Sequence, residues 1–166
     1  MKQDDDTRRS VAEGDDPWAG ARALIDGLDG GVNIAHEAVD RHVRNGHGGE
    51  TAIVWFGKDD TRREFTYSDL SEASSRFANV LQAHGITRGD SVFALMGRVP
   101  ELYITALGTL KAGCVFTPLF SAFGPEPIQT RMEIGAANVL VTTESLYRRK
   151  IAAWREAIGS LKLVLI

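Results

Sequence analysis

Val92-Phe-Ala-Leu-Met-Gly-Arg-Val-Pro100 reads as a strand, a short loop with glycine, and a proline that opens a helix. Five apolar residues in succession suit a strand covered on both faces. Leu102, Tyr103, Ala106, Leu107 and Leu110 then return at helical spacing until Gly113 ends the run. The alternation continues through strand Val115–Pro118, helix 125–136, strand Val139–Thr142 and helix 145–158 to Leu161-Lys-Leu-Val-Leu-Ile166. Four strand candidates alternating with helices predict an α/β fold, a parallel sheet flanked by helices with right-handed crossovers. The last stretch also reads as a strand buried on both faces. Its faces and free edge call for partners from further chain, so the reading expects the opening portion of something longer.

On the N-terminal side the pattern changes. Leu70, Ala73, Phe77, Val80 and Leu81 form a helix stripe that Gly85 closes, and Thr66 with Asp69 resembles a capping box at its start. Ala52–Phe56 and Arg63–Tyr67 flank the polar turn Gly57-Lys-Asp-Asp-Thr61, which predicts a β-hairpin preceding the sheet. Asn33 is a candidate N-cap for a helix through about Arg44, and a shorter helix is expected over Trp18–Leu28 after Pro17, closed by Gly27, Gly30 and Gly31. Residues 1–16 are acidic and nearly free of large apolar groups, so a disordered tail is expected there.

Composition excludes several classes. With 166 residues and 43% apolar content the chain can build a core, and a net charge of -3 gives no reason to expect nucleic acid or an anionic membrane. No apolar run approaches the ~20 residues that span a bilayer. The start Met1-Lys-Gln-Asp-Asp-Asp lacks the features of a secretory or transit leader, and a lone Cys114 suits a reducing compartment, so a cytoplasmic setting is expected. Cys114 reads as a small buried hydrophobe.

The common phosphate loops, the nucleophile elbow and the zinc-protease motif do not occur, and His36-Glu37 lacks a second histidine at ligand spacing. The four histidines read as structural or solvent-facing. Two loops leave strands at the sheet edge where ligands bind in α/β folds. In Gly97-Arg-Val-Pro100, Arg98 either holds an anion at the helix start or pairs with Glu101 or faces water. Pro118-Leu-Phe-Ser-Ala-Phe-Gly-Pro-Glu126 either packs under another subdomain or forms a flat aromatic platform. Tyr147-Arg-Arg-Lys150 places three cations near the start of a helix, as a solvated patch or an anion site.

Six segments occur in one order: Asn33–His42, Phe65-Thr-Tyr-Ser-Asp-Leu70, Gly89-Asp-Ser-Val-Phe93, Pro100-Glu-Leu-Tyr103, Gly108-Thr-Leu-Lys-Ala-Gly113 and Leu119-Phe-Ser-Ala-Phe-Gly-Pro-Glu126. Together, over about residues 32–166, they resemble the N-terminal part of AMP-forming acyl-CoA synthetases, acetyl-CoA synthetases above all. The resemblance implies a ligase that uses ATP, with Mg, to turn a carboxylate into an acyl-adenylate and then passes the acyl group to CoA. It implies that residues 17–166 belong to the adenylation domain and stop before its phosphate loop. No residue present then carries catalysis, and the chain alone is expected to be inactive and to hold none of these cofactors stably. It further implies that Phe120, Ser121, Ala122 and Arg148 contribute to the site for the adenine and 3′-phosphate of CoA. Ser121-Ala122 stands where family members carry two glycines, and Arg149 and Lys150 replace small residues, which leaves open which of the three cations reads the phosphate. The expected partners are the small molecules alone: carboxylate, ATP and CoA. Two other readings stand beside this one, a non-catalytic CoA-binding or interaction module and a complete doubly wound domain of unrelated role.

Overall fold

The computed structural model describes residues 18–25, 27–28 and 31–166. The tail over 1–16, Pro17 and Gly30 lie outside that set. Helix α1 covers only Ala19–Arg22, shorter than the expected Trp18–Leu28, and Leu28 and Gly31 exchange backbone hydrogen bonds of 2.8 and 2.9 Å beyond it. Asn33 caps the next helical segment, its Oδ1 accepting from the backbone N–H groups of Ala35 (2.9 Å) and His36 (3.3 Å). That segment widens into π-helical turns over His36–Asp40 and Val43–His47, and Gly46, at φ 90°, breaks the helical path.

Strands β1 (Thr51–Phe56) and β2 (Arg62–Thr66) form the antiparallel hairpin. Thr66 ends β2 and caps α2 (Tyr67–Ala83). Its hydroxyl accepts from Asp69 N–H at 3.1 Å and Asp69 Oδ2 accepts from Thr66 N–H at 2.8 Å. The capping box read from the sequence is therefore complete, with Asp in the role usually taken by Glu.

The remaining strands are β3 (Ser91–Leu95), β4 (Val115–Pro118), β5 (Val139–Thr142) and β6 (Leu163–Leu165), separated by α3 (Pro100–Lys111), α4 (Pro125–Ile134) and α5 (Glu144–Lys150). They form one parallel sheet in the order β4-β3-β5-β6. The expected α/β fold with a preceding hairpin is what the chain adopts.

Each face of the sheet has its own core. Val92, Ala94, Val139 and Val141 pack with Leu81 and Ile86 on the α2 side, with Phe77 of α2 and Leu102 of α3 against them. Phe93, Leu95 and Leu140 pack with Ile128, Met132, Leu146 and Ile151 on the α4 and α5 side. The alternation along β3 follows from the two-residue repeat of a strand. Burying Phe93 or Leu95 to this degree contributes about 2–3 kcal/mol each.

One expectation at the C-terminal end needs correction. The helix expected over 145–158 stops at Lys150, and a turn and a short 3₁₀ segment, Arg155–Ala157, follow. The last strand is three residues long and half-buried among the described residues, in keeping with a strand whose faces call for partners from further chain. Both-face burial holds for β3 and β5, which lie inside the sheet. Among the described residues β6 pairs with β5 alone.

Candidate functional site

The geometry gathers at the carboxyl ends of β3, β4 and β5. Leu119 follows β4 and is buried, its N–H donating to Ala94 O at 2.8 Å. A turn then forms in which Phe123 N–H donates to Phe120 O at 3.0 Å, with Ser121 and Ala122 at its centre. Among the described non-glycine residues, positive φ occurs only at Asp60 and Ala136. The turn therefore accepts the Cβ atoms of Ser121 and Ala122 without left-handed strain.

The two phenylalanines do not make the flat platform that was one alternative. Their centroids are 5.4 Å apart and the planes stand at 88°. Phe123 is half-buried against the α4/α5 core with the Arg131 guanidinium 4.4 Å above its ring. Phe120 remains 62% exposed. One ring is structural and one is presented.

Helix α5 starts from Thr143, whose hydroxyl accepts from Leu146 N–H at 3.4 Å. Its cations fall in the last turn, not near the start as the sequence suggested, because the helix is seven residues long. There they suit the helix dipole and carry no penalty. Arg148 is exposed and bonds Glu144 Oε1 at 2.5 Å, and Arg149 Nε donates to Ser145 O at 3.1 Å. Lys150 differs from both. It is half-buried and donates to Ser121 O (2.6 Å) and Phe123 O (2.5 Å). The structure thus joins the Phe120–Ser121–Ala122 loop to the helix bearing Arg148, and the link is Lys150, whose ammonium is taken up by the loop carbonyls.

Arg98 is exposed, and its carbonyl accepts from Trp55 Nε1 at 2.8 Å. Glu101, the partner weighed for it, pairs with Arg63 at 3.5 Å. Between the ends of β3 and β5 lies an apolar groove of about 520 Å³, lined by Phe77, Met96, Val99, Ile104, Val141 and Ile166 among others. No motif could reveal it, because its walls come from segments up to 89 residues apart (Phe77 to Ile166). This is the point where the chain's crossovers change direction, the usual ligand edge of such sheets.

Cys114 is buried, with Sγ 3.2 Å from Thr87 O, and burial followed by the nearby Asp90 charge raises its thiol pKa. His36 is buried beside the Arg44 guanidinium, at 3.1 and 3.4 Å from its ring nitrogens. His42 stacks on Tyr67, His47 pairs with Glu50, and His84 Nδ1 lies 2.8 Å from Val80 O. Among the described residues no group of three or more His, Cys, Asp or Glu side chains is placed to hold a metal. No described helix is long and apolar enough to cross a membrane.

Residues 39–166 match the family model described as AMP-binding enzyme. The chain is 40% identical over 122 residues to the acetyl-coenzyme A synthetase of Bacillus subtilis, covering 72% of this chain and 21% of that protein. It is 40% identical over 126 residues to the acetyl-coenzyme A synthetase of Sodalis glossinidius, covering 74% and 19%. The chain spans about a fifth of the length of these relatives. Among solved structures, the Brucella canis acyl-CoA synthetase superposes with a TM-score of 0.77 at 36% identity, over 91% of this chain and 26% of that one. On the match over residues 39–166, the chain belongs to the AMP-binding enzyme family.

Proposed function

We propose that this chain supplies part of the adenylation domain, residues 17–166, of an ATP-dependent ligase that joins acetate or another short-chain acid to CoA. In that reaction the carboxylate attacks the α-phosphorus of ATP and releases pyrophosphate. The CoA thiol then attacks the acyl carbon and AMP leaves. The Phe120-Ser121-Ala122 turn and Arg148 form part of the CoA side of the site. An exposed ring beside a cation-bearing helix end is complementary to a planar heterocycle carrying a phosphate.

The observation that carries this reading is the family match together with the tie between that turn and α5. Adenylation needs groups that bind the phosphates of ATP and stabilise charge at the α-phosphorus, and no phosphate-loop motif occurs in these residues, which supports the reading that the chain alone does not run it. The test is acetate-dependent ATP–pyrophosphate exchange by the isolated chain, with calorimetric titration of CoA. The expected result is no exchange and only weak CoA binding. Measurable exchange overturns the proposed division of labour. Micromolar CoA binding without exchange favours the non-catalytic binding module instead.

A further inference from the structure

The Phe120–Phe123 turn is held from outside its own segment. Its internal bond is the single one from Phe123 N–H to Phe120 O, and its base is pinned by Leu119 N–H on Ala94 O. The carbonyls of Ser121 and Phe123 both accept from Lys150 Nζ, which lies 29 and 27 residues further along the chain. Hydrogen bonds from an ammonium are stronger than those between neutral groups, and a half-buried one is less exposed to competition from water.

Three consecutive cations therefore do different work. Arg148 and Arg149 are exposed and, among the described residues, bonded only within α5, to Glu144 and to the Ser145 carbonyl. Either can exchange its partner for an arriving anion without moving the backbone. Lys150 cannot do so without releasing the turn.

We propose that Lys150 is a positioning residue: it locks the Phe120–Phe123 turn against α5 and so sets where the presented Phe120 ring stands relative to Arg148. The locking itself follows from the geometry; its consequence for CoA rests on the function proposed above.

The experiment uses the full chain, unsubstituted and as Lys150→Met, Lys150→Arg and Arg148→Ala. Lys150→Met keeps the aliphatic stem and removes the donors. Amide hydrogen exchange is followed by NMR without ligand. CoA and 3′-dephospho-CoA are then titrated while the Phe120 ring signals are observed. For Lys150→Met, exchange at the Phe123 amide should accelerate about tenfold or more while the β3 and β5 amides keep their protection. Lys150→Arg should restore much of it. Both nucleotides should weaken by a similar factor in Lys150→Met, leaving their ratio unchanged, whereas Arg148→Ala should bring the ratio towards one.

Unchanged exchange at Phe123 overturns the proposal. So does a Lys150→Met variant that loses the CoA to dephospho-CoA ratio, because Lys150 would then read the phosphate itself. If neither nucleotide perturbs the unsubstituted chain, the exchange rates alone decide whether Lys150 locks the turn, and an unchanged KM for CoA of Lys150→Met in a preparation that runs the whole proposed reaction overturns its consequence for the site.

Discussion

Lys111 Nζ, at the end of α3, lies 2.7 Å from Asp40 Oδ1, 71 residues earlier in the chain. The same ammonium donates to Ser71 O and Ser75 Oγ of α2, each at 3.0 Å, and Ser71 Oγ donates to Asp40 at 2.6 Å. One cation thus joins the N-terminal helical segment, α2 and α3. The lysine side chain is 12% exposed and the aspartate 29%, so the pair is sheltered without being sealed.

Lys111→Met should therefore cost about 2–3 kcal/mol of stability, since it leaves Asp40 and two α2 oxygens short of a donor. Adding Asp40→Asn should recover part of that loss. Urea denaturation of the single and double variants measures both. A loss below about 0.5 kcal/mol would show that solvent already screens the pair.

At Gly108, α3 approaches α2 closely. A Cβ there would lie 2.6 Å from Ser74 O and 2.7 Å from Phe77 Cδ1. Gly108→Ala should destabilise the chain by about 1–3 kcal/mol, despite the better helix propensity of alanine, because a backbone oxygen cannot swing aside. A thermal midpoint that rises in this variant would contradict the packing described.

Asp90 Oδ2 accepts from Thr87 N–H at 2.8 Å, and Oδ1 lies 3.2 Å from Lys162 Nζ. The Thr87 bond first, and Lys162 in addition, hold this carboxyl below its ordinary range although burial opposes them. A carboxylate whose folded pKa is depressed stabilises the fold above its unfolded value, about 3.9, and stops doing so as pH falls through the folded value. The stability gap between the unsubstituted chain and Asp90→Asn should be level from about pH 5 upward and close below about pH 4. A gap independent of pH would remove the charge from the explanation.

Arg148 is bonded only to a neighbour one turn away on an exposed helix face, so truncating it should leave the fold intact. In a preparation that runs the whole proposed reaction, Arg148→Ala should raise KM for CoA several-fold, roughly the worth of one charge-assisted contact. Acetate-dependent ATP–pyrophosphate exchange should not change. An unaltered CoA dependence would detach Arg148 from the proposed site.

Much of the sheet was legible because strand and helix periods differ. Val92–Leu95 and Val139–Val141 are apolar without interruption and lie inside the sheet, whereas the α2 stripe returns every three or four residues. The end of α5 was missed because apolar spacing alone does not tell a helix from a run of turns. Ile151, Trp154 and Ile158 keep a near-helical spacing and enter the core beside α5, but through turns. At the candidate site, Phe120 and Arg148 were named from a motif. The roles of Phe123 and Lys150 were not, since each is defined by a contact with a distant segment.

The order of residues by itself determined the α/β alternation, the hairpin, the Thr66–Asp69 cap and the family, because each depends on spacing within one short segment. Only the tertiary structure decided where α5 ends, which of two phenylalanines faces solvent and which of three adjacent cations turns inward. Those outcomes depend on which distant groups arrive to fill a face or accept a hydrogen bond, and local spacing carries no record of them.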